Sequence, residues 1–193
     1  MFSFIKTGGS EAMPGSRHTD WMAIVKGKQR IFRRMDKLYD VLEFERYPYT
    51  PIQTDKVSKL IRSNLTDDLI SDDIREKYPQ DHPRWKYPFF GHCVPATFVL
   101  LYLMDTGTLE PMRGEDSSGE GHWWLRDILT KEIYDLTLDQ FPTYGELEMV
   151  YATGTPRGYW GMGEMPTSRF FDLIQRVQPD SKRWTSSDYT QNH

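Results

Sequence analysis

Cys93 is the single cysteine of the 193-residue chain. It stands in Phe89-Phe90-Gly91-His92-Cys93-Val94-Pro95-Ala96-Thr97, where a glycine turn gives way to an apolar run. A thiol at such a junction sits at a helix N-terminus, where free backbone N–H groups and the positive end of the helix dipole favour a thiolate. A nucleophilic cysteine needs a base to take its proton and a third group to orient that base. His122 follows 29 residues after Cys93, and Asp135 follows 13 residues after His122. If the three converge, the chemistry is attack of sulfur on an amide or ester carbonyl. Each also has an ordinary reading. A lone cysteine is often core packing, a strand-end histidine bonds a carbonyl, and Asp135 or Asp139 can cap the turn through Thr137-Leu138. Asp127 is a rival orienter, but its place further along the same strand puts it about 17 Å from His122 at the usual rise.

The elements that must position these residues are legible around them. Pro95 fits a first helical turn, where its missing N–H costs nothing. Thr97 to Met104 is apolar almost all round, which predicts a buried central helix, closed at Asp105-Thr106-Gly107 with Gly107 as a left-handed cap. Glu115 to Gly121 reads as a polar turn into a strand over His122 to Ile128, paired as an antiparallel hairpin with a strand over Lys131 to Leu136. His122 begins one strand and Asp135 ends the other, so both lie at one end of the sheet. A helix N-terminus packed on that end brings Cys93 to them.

The rest of the chain carries less chemistry. Residues 1–18 read as a loosely docked arm, Trp21 to Phe32 as a short hairpin, and Arg34 to Glu45 as a helix ended by Pro48 and Pro51. Thr54 is taken as the N-cap of a helix from Asp55 with Val57, Leu60 and Ile61 on one face. Leu65 to Tyr78 reads as a second short helix with Leu69, Ile70 and Ile74 inward, and Tyr78 to Pro88 as an irregular loop. Met149 to Ala152 reads as a strand, residues 153–166 as a glycine-rich loop holding Tyr159 and Trp160, and Thr167 to Val177 as a final helix. Those glycines lack the strand, Lys-Ser/Thr pair and helix of a phosphate-cradling loop.

A chain that is 38% hydrophobic and 14% aromatic can bury a core, and its length fits one α+β domain with an N-terminal extension. The expected division is an arm and extension over residues 1–50 and an α+β domain over 51–193. One cysteine excludes an internal disulfide framework and a Cys-rich zinc site. A net charge of −4 gives no general reason to expect nucleic-acid binding, and the basic cluster from Lys26 to Arg34 reads as a solvated face. No apolar run approaches the ~20 residues that span a bilayer. Met1-Phe2-Ser3-Phe4-Ile5-Lys6 shows no secretory signal, so the expectation is a cytoplasmic protein without membrane partners.

Three stretches together resemble a known family: Gly91-His92-Cys93 with the helix behind it, Gly121-His122-Trp123-Trp124, and Ile133-Tyr134-Asp135-Leu136-Thr137-Leu138-Asp139-Gln140-Phe141. Their order resembles papain-like cysteine hydrolases in a circularly arranged form, and more narrowly the YunG-like family. The Asp-Leu-Thr-x-x-Gln-Phe piece is the most specific. The likeness runs over roughly residues 55–178. It implies a papain-like core, a nucleophile-bearing central helix on a small antiparallel sheet, with Cys93, His122 and Asp135 at the catalytic positions. It also implies oxyanion or substrate contacts from His92, Trp123 and Gln140. His92 stands where the family usually has glutamine, and an imidazole can also donate a hydrogen bond to an oxyanion.

The expected function is a cysteine hydrolase of amide bonds, a peptidase, isopeptidase or deamidase, acting on a peptide or protein through a thioester, without cofactor or metal. Transfer of the acyl group to an amine is equally open, as is the oligomeric state. Two other classes are open. One is a non-catalytic binding module engaging a partner through Trp85, Tyr87, Tyr159 and Trp160. The other is a metal site built from His92, Cys93, His122 and a carboxylate. Residues 1–50 are also a candidate regulatory cover for the site.

Overall fold

A computed structural model describes residues 45–157 and 168–180. In chain order the elements are β1 (Tyr47–Pro48), α1 (Pro51–Ser63), α2 (Asp72–Lys77), α3 (Cys93–Leu103), β2 (Met104–Asp105), β3 (Leu109–Glu115), β4 (Gly121–Asp127), β5 (Ile133–Tyr134), α4 (Tyr144–Ala152), β6 (Thr155–Pro156) and α5 (Ser168–Val177). Short 3-10 turns occupy Asp67–Leu69, Pro83–Lys86 and Leu138–Gln140. The architecture is α+β, with an antiparallel sheet in the order β5-β4-β3-β6.

Helix α3 has no polar stripe, and ten of its eleven residues are buried, as an apolar helix enclosed on every side requires. One flank meets the sheet, where Phe98 packs on Trp123 with ring centroids 5.4 Å apart and the Thr97 hydroxyl donates to the Trp123 carbonyl at 3.0 Å. The other flank meets α1 through Val57 and Ile61 and α5 through Phe170, Leu173, Ile174 and Val177. Each such apolar side chain contributes about 1.5–3 kcal/mol on burial. Helix α4 covers the opposite sheet face, where Met112, Trp124 and Val150 form a second cluster. The close approach of α4 depends on Gly114, since a Cβ there would lie 2.1 Å from the Val150 carbonyl oxygen.

Several boundaries differ from the sequence reading. Thr50, not Thr54, caps α1: its side chain accepts from the Gln53 N–H at 3.2 Å, and Pro51 opens the helix. Thr54 is buried and donates instead to the Thr50 carbonyl. The expected helix over 65–78 is a 3-10 turn and the six-residue α2, separated by the extended Ile70. Leu69 and Ile70 are buried, Ile74 only partly. Gly107 has no left-handed conformation; α3 ends at Leu103 because Met104 turns extended to pair with Tyr47 in a parallel ladder.

That ladder also moves the domain boundary. Residues 45–50 belong with the folded domain rather than the extension, since Tyr47–Pro48 pairs with Met104–Asp105 and the Tyr49 hydroxyl donates to Asp127 at 2.8 Å. Strand β5 keeps only Ile133 and Tyr134 in the ladder. Strand β3 was not foreseen: Pro111 and Gly114 weaken its intrinsic preference, and pairing along all of β4 overrides it. Met149 to Ala152 is helical, not extended. The arm, the hairpin, the helix at 34–45 apart from Glu45, the basic cluster, and the loop from 158 with Tyr159 and Trp160 lie outside the described residues. Among the described residues no helix is long and apolar enough to cross a membrane.

Candidate active site

Entry into α3 is made by an unusual backbone. Phe89 has φ +63° and Gly91 φ +81°, the left-handed region in which a Cβ is costly. At Gly91 a Cβ would also lie 3.2 Å from Ile70 Cγ2, so this position takes glycine for two reasons. The turn delivers Cys93 as the first residue of α3. Among the described residues, the backbone N–H groups of Cys93 and Val94 have no acceptor. Pro95 has no N–H, and Ala96 N–H already bonds the His92 carbonyl at 3.1 Å. Two free donors therefore flank the sulfur at the positive end of a buried helix.

His122 is the second residue of β4, directly across from Gly114 in β3. Asp135 follows the last laddered residue of β5. The two strand ends meet, and His122 Nε2 lies 2.6 Å from Asp135 Oδ2 with both side chains buried. The carboxylate is further held by the Thr137 N–H on Oδ1 at 2.9 Å and by the Tyr151 hydroxyl on Oδ2 at 3.0 Å. Trp124 stacks on the imidazole at 5.8 Å and Phe141 meets it edge-on at 4.8 Å. The ring is thus fixed in plane and in tautomer, with its Nε2–H given to Asp135.

Burial alone would drive His122 toward its neutral form. The Asp135 charge and hydrogen bond, reinforced by the neighbouring Cys93, override it and push the imidazole up to about 10. Burial likewise opposes the Asp135 charge, but His122 and the donated bonds from Thr137 and Tyr151 hold the carboxyl below its ordinary value. The other ring nitrogen, Nδ1, faces the Gln140 side-chain amide at 3.0 Å. A neutral ring accepts there from Gln140; a charged ring makes Nδ1 a donor, and Cys93 is the neighbouring group that favours that form.

Cys93, Trp123, His122 and Gln140 line one cavity of about 220 Å³, with Phe90 and Phe141 among its apolar walls. His92 is not part of it. Its ring is buried and lies between the Phe90 carbonyl (Nδ1, 3.1 Å) and the Thr66 carbonyl (Nε2, 2.9 Å). The expected oxyanion contact from this side chain is therefore corrected: the imidazole is spent on anchoring the start of α3. The same orientation dismantles the imagined four-ligand metal site. No group of three or more His, Cys, Asp or Glu side chains converges to hold a metal ion among the described residues. Trp85, expected as a binding aromatic, packs on Phe90 at 5.2 Å and donates to the Pro79 carbonyl.

Asp127 is remote from His122 and has its own duty. It accepts from Tyr49, from the Thr108 hydroxyl at 2.7 Å, and from the Leu129 and Thr130 N–H groups. Sequence reasoning missed Tyr151, because Met149 to Ala152 was read as a strand. The signal was present in Thr143-Tyr144-Gly145-Glu146, the spacing of a capping box; the Thr143 hydroxyl accepts from the Glu146 N–H at 3.3 Å. Arg169 at the start of α5 also lines the cavity and had no signal. No family model, curated protein or solved structure matches the chain.

Proposed function

We propose that this protein is a cysteine hydrolase of amide bonds, with Cys93 as nucleophile, His122 as base and Asp135 as orienter on a papain-like, YunG-like core. The observation that carries the reading is that His122, held by the buried Asp135 at 2.6 Å, lines the same cavity as a cysteine at the free N-terminus of α3.

The chemistry follows from these parts. His122 holds the thiol proton at Nδ1 while Cys93 Sγ forms a bond to the substrate carbonyl carbon. The tetrahedral oxyanion is received by the N–H groups of Cys93 and Val94. As the C–N bond breaks, His122 gives its proton to the leaving amine. The thioester left on Cys93 is then attacked by water, which His122 deprotonates, and the carboxylic acid departs with the thiol restored. Throughout, Asp135 keeps the Nε2–H and stabilises the positive ring. Trp123 and Gln140 contact the substrate from the cavity wall.

A generic acyl donor tests this without knowledge of the substrate. With p-nitrophenyl acetate, wild-type protein is expected to give a nitrophenolate burst and an acetyl adduct on Cys93 by intact mass, both lost in Cys93→Ala. Absence of burst and adduct in the folded wild-type protein would count against the reading and leave a binding role.

A further inference from the structure

Besides His122, five charged side chains line the Cys93 cavity: Asp73, Arg84, Asp116, Glu120 and Arg169. Three are committed. Arg84 is paired with Asp116, whose carboxylate also takes the Ser118 and Glu120 N–H groups, and Glu120 is paired with Lys77. Asp73 is exposed at the start of α2. Arg169 is different. It is half-buried, and Nη1 donates to the Leu69 carbonyl at 3.2 Å. Among the described residues it forms no ion pair, and its other guanidinium nitrogens have no hydrogen-bond partner. Burial opposes its charge, and the charges of Cys93, Asp73 and Asp72 act only as a field around it. A half-buried guanidinium without a carboxylate partner, beside the nucleophile, is a fork waiting for one.

We infer that Arg169 is the specificity-determining residue of this site and binds a carboxylate on the acyl portion of the substrate, next to the carbonyl that Cys93 attacks. The inference rests on the hydrolase reading above and names its substrate class: amides whose acyl group carries a second, free carboxylate. A cavity of about 220 Å³ is below the usual range for drug-sized ligands and suits one short acidic acyl chain. Arg84 cannot serve instead, since its charge is already matched by Asp116.

A pair of alkylating probes differing in one charge separates this inference from the reading under it. Iodoacetamide reports reactivity of the thiol; iodoacetate carries a carboxylate in place of the amide. Wild-type protein is expected to show saturable alkylation of Cys93 by iodoacetate, with the iodoacetate-to-iodoacetamide rate ratio falling at least tenfold in Arg169→Gln. Arg169→Lys, which keeps the charge but not the fork, is expected to lose several-fold of that ratio. Unchanged ratios in Arg169→Gln, with iodoacetamide still fast, would overturn the carboxylate assignment and leave the hydrolase reading standing. A full ratio in Arg169→Lys would reduce Arg169 to a field effect and overturn it too. Slow reaction with both probes in wild-type protein would remove the hydrolase reading and this inference with it.

Discussion

The imidazole of His122 and the carboxylate of Asp135 meet at 2.6 Å although they come from the opposite ends of two different strands. The contact exists because β4 and β5 run antiparallel with Tyr134 opposite Leu125, so the chain after Tyr134 runs back alongside the first half of β4, where His122 lies. Helix α3 lies on that sheet and delivers the sulfur.

Asp135 and Asp127 are the two buried aspartates of this sheet, and they predict opposite outcomes. Asp135→Asn should slow Cys93 alkylation at pH 6 by tenfold or more, because the amide no longer holds the Nε2–H tautomer or favours the charged ring. Asp127→Ala removes the acceptor of four donors and should cost about 2–4 kcal/mol in urea unfolding while leaving the alkylation profile of the folded protein unchanged. Equal loss of reactivity in both would mean that stability, not the pair, governs the thiol.

Tyr151 donates to the same carboxylate oxygen that meets His122. Tyr151→Phe should cost about 1–2 kcal/mol of stability and slow alkylation below pH 7 by about three- to tenfold. Its effect should vanish in the Asp135→Asn background, since a double-mutant cycle isolates groups that act through each other. Additive losses would place Tyr151 in packing alone.

The pair also sets a pH dependence of folding. His122 is raised from 6.5 to about 10, so its contribution is complete below pH 6.5 and is lost as pH rises toward 10. Asp135 is lowered from 3.8, so its contribution is complete above about pH 4 and is lost as pH falls further. Stability should therefore be greatest between about pH 4 and 6.5 and decline by a few kcal/mol toward pH 10, at roughly 1.4 kcal/mol per pH unit of retained proton. Measuring this in Cys93→Ala keeps the thiol proton out of the balance, and the decline there should be smaller and end at a lower pH, because Cys93 is one of the groups that raise the ring. A flat alkaline limb there, or no flattening on adding His122→Ala, would contradict the pairing.

Much of this site was readable from residue types and spacing. The α3 start, the β4 strand and the antiparallel partner follow from Pro95, the apolar run behind it and the aromatic-rich run after Gly121. What was not readable has physical reasons. His92 takes its expected role from the resemblance, in which the residue before the cysteine is usually glutamine, yet adjacent residues at a helix start point in different directions, and its ring meets Thr66, 26 positions earlier in the chain. Tyr151 and Arg169 reach the site from α4 and α5, elements whose tertiary placement no local pattern encodes. Strand β3 was hidden by Pro111 and Gly114, whose costs are met by pairing that lies outside its own sequence.

The most direct measurement is the rate of Cys93 alkylation by iodoacetamide from pH 5 to 9 in wild-type protein and in His122→Ala. A Cys93–His122–Asp135 unit predicts a fast rate that persists below pH 7 in wild-type protein and collapses by at least an order of magnitude at pH 6 in the variant. A wild-type rate that rises only as an ordinary thiol ionises, unchanged by His122→Ala, would contradict it.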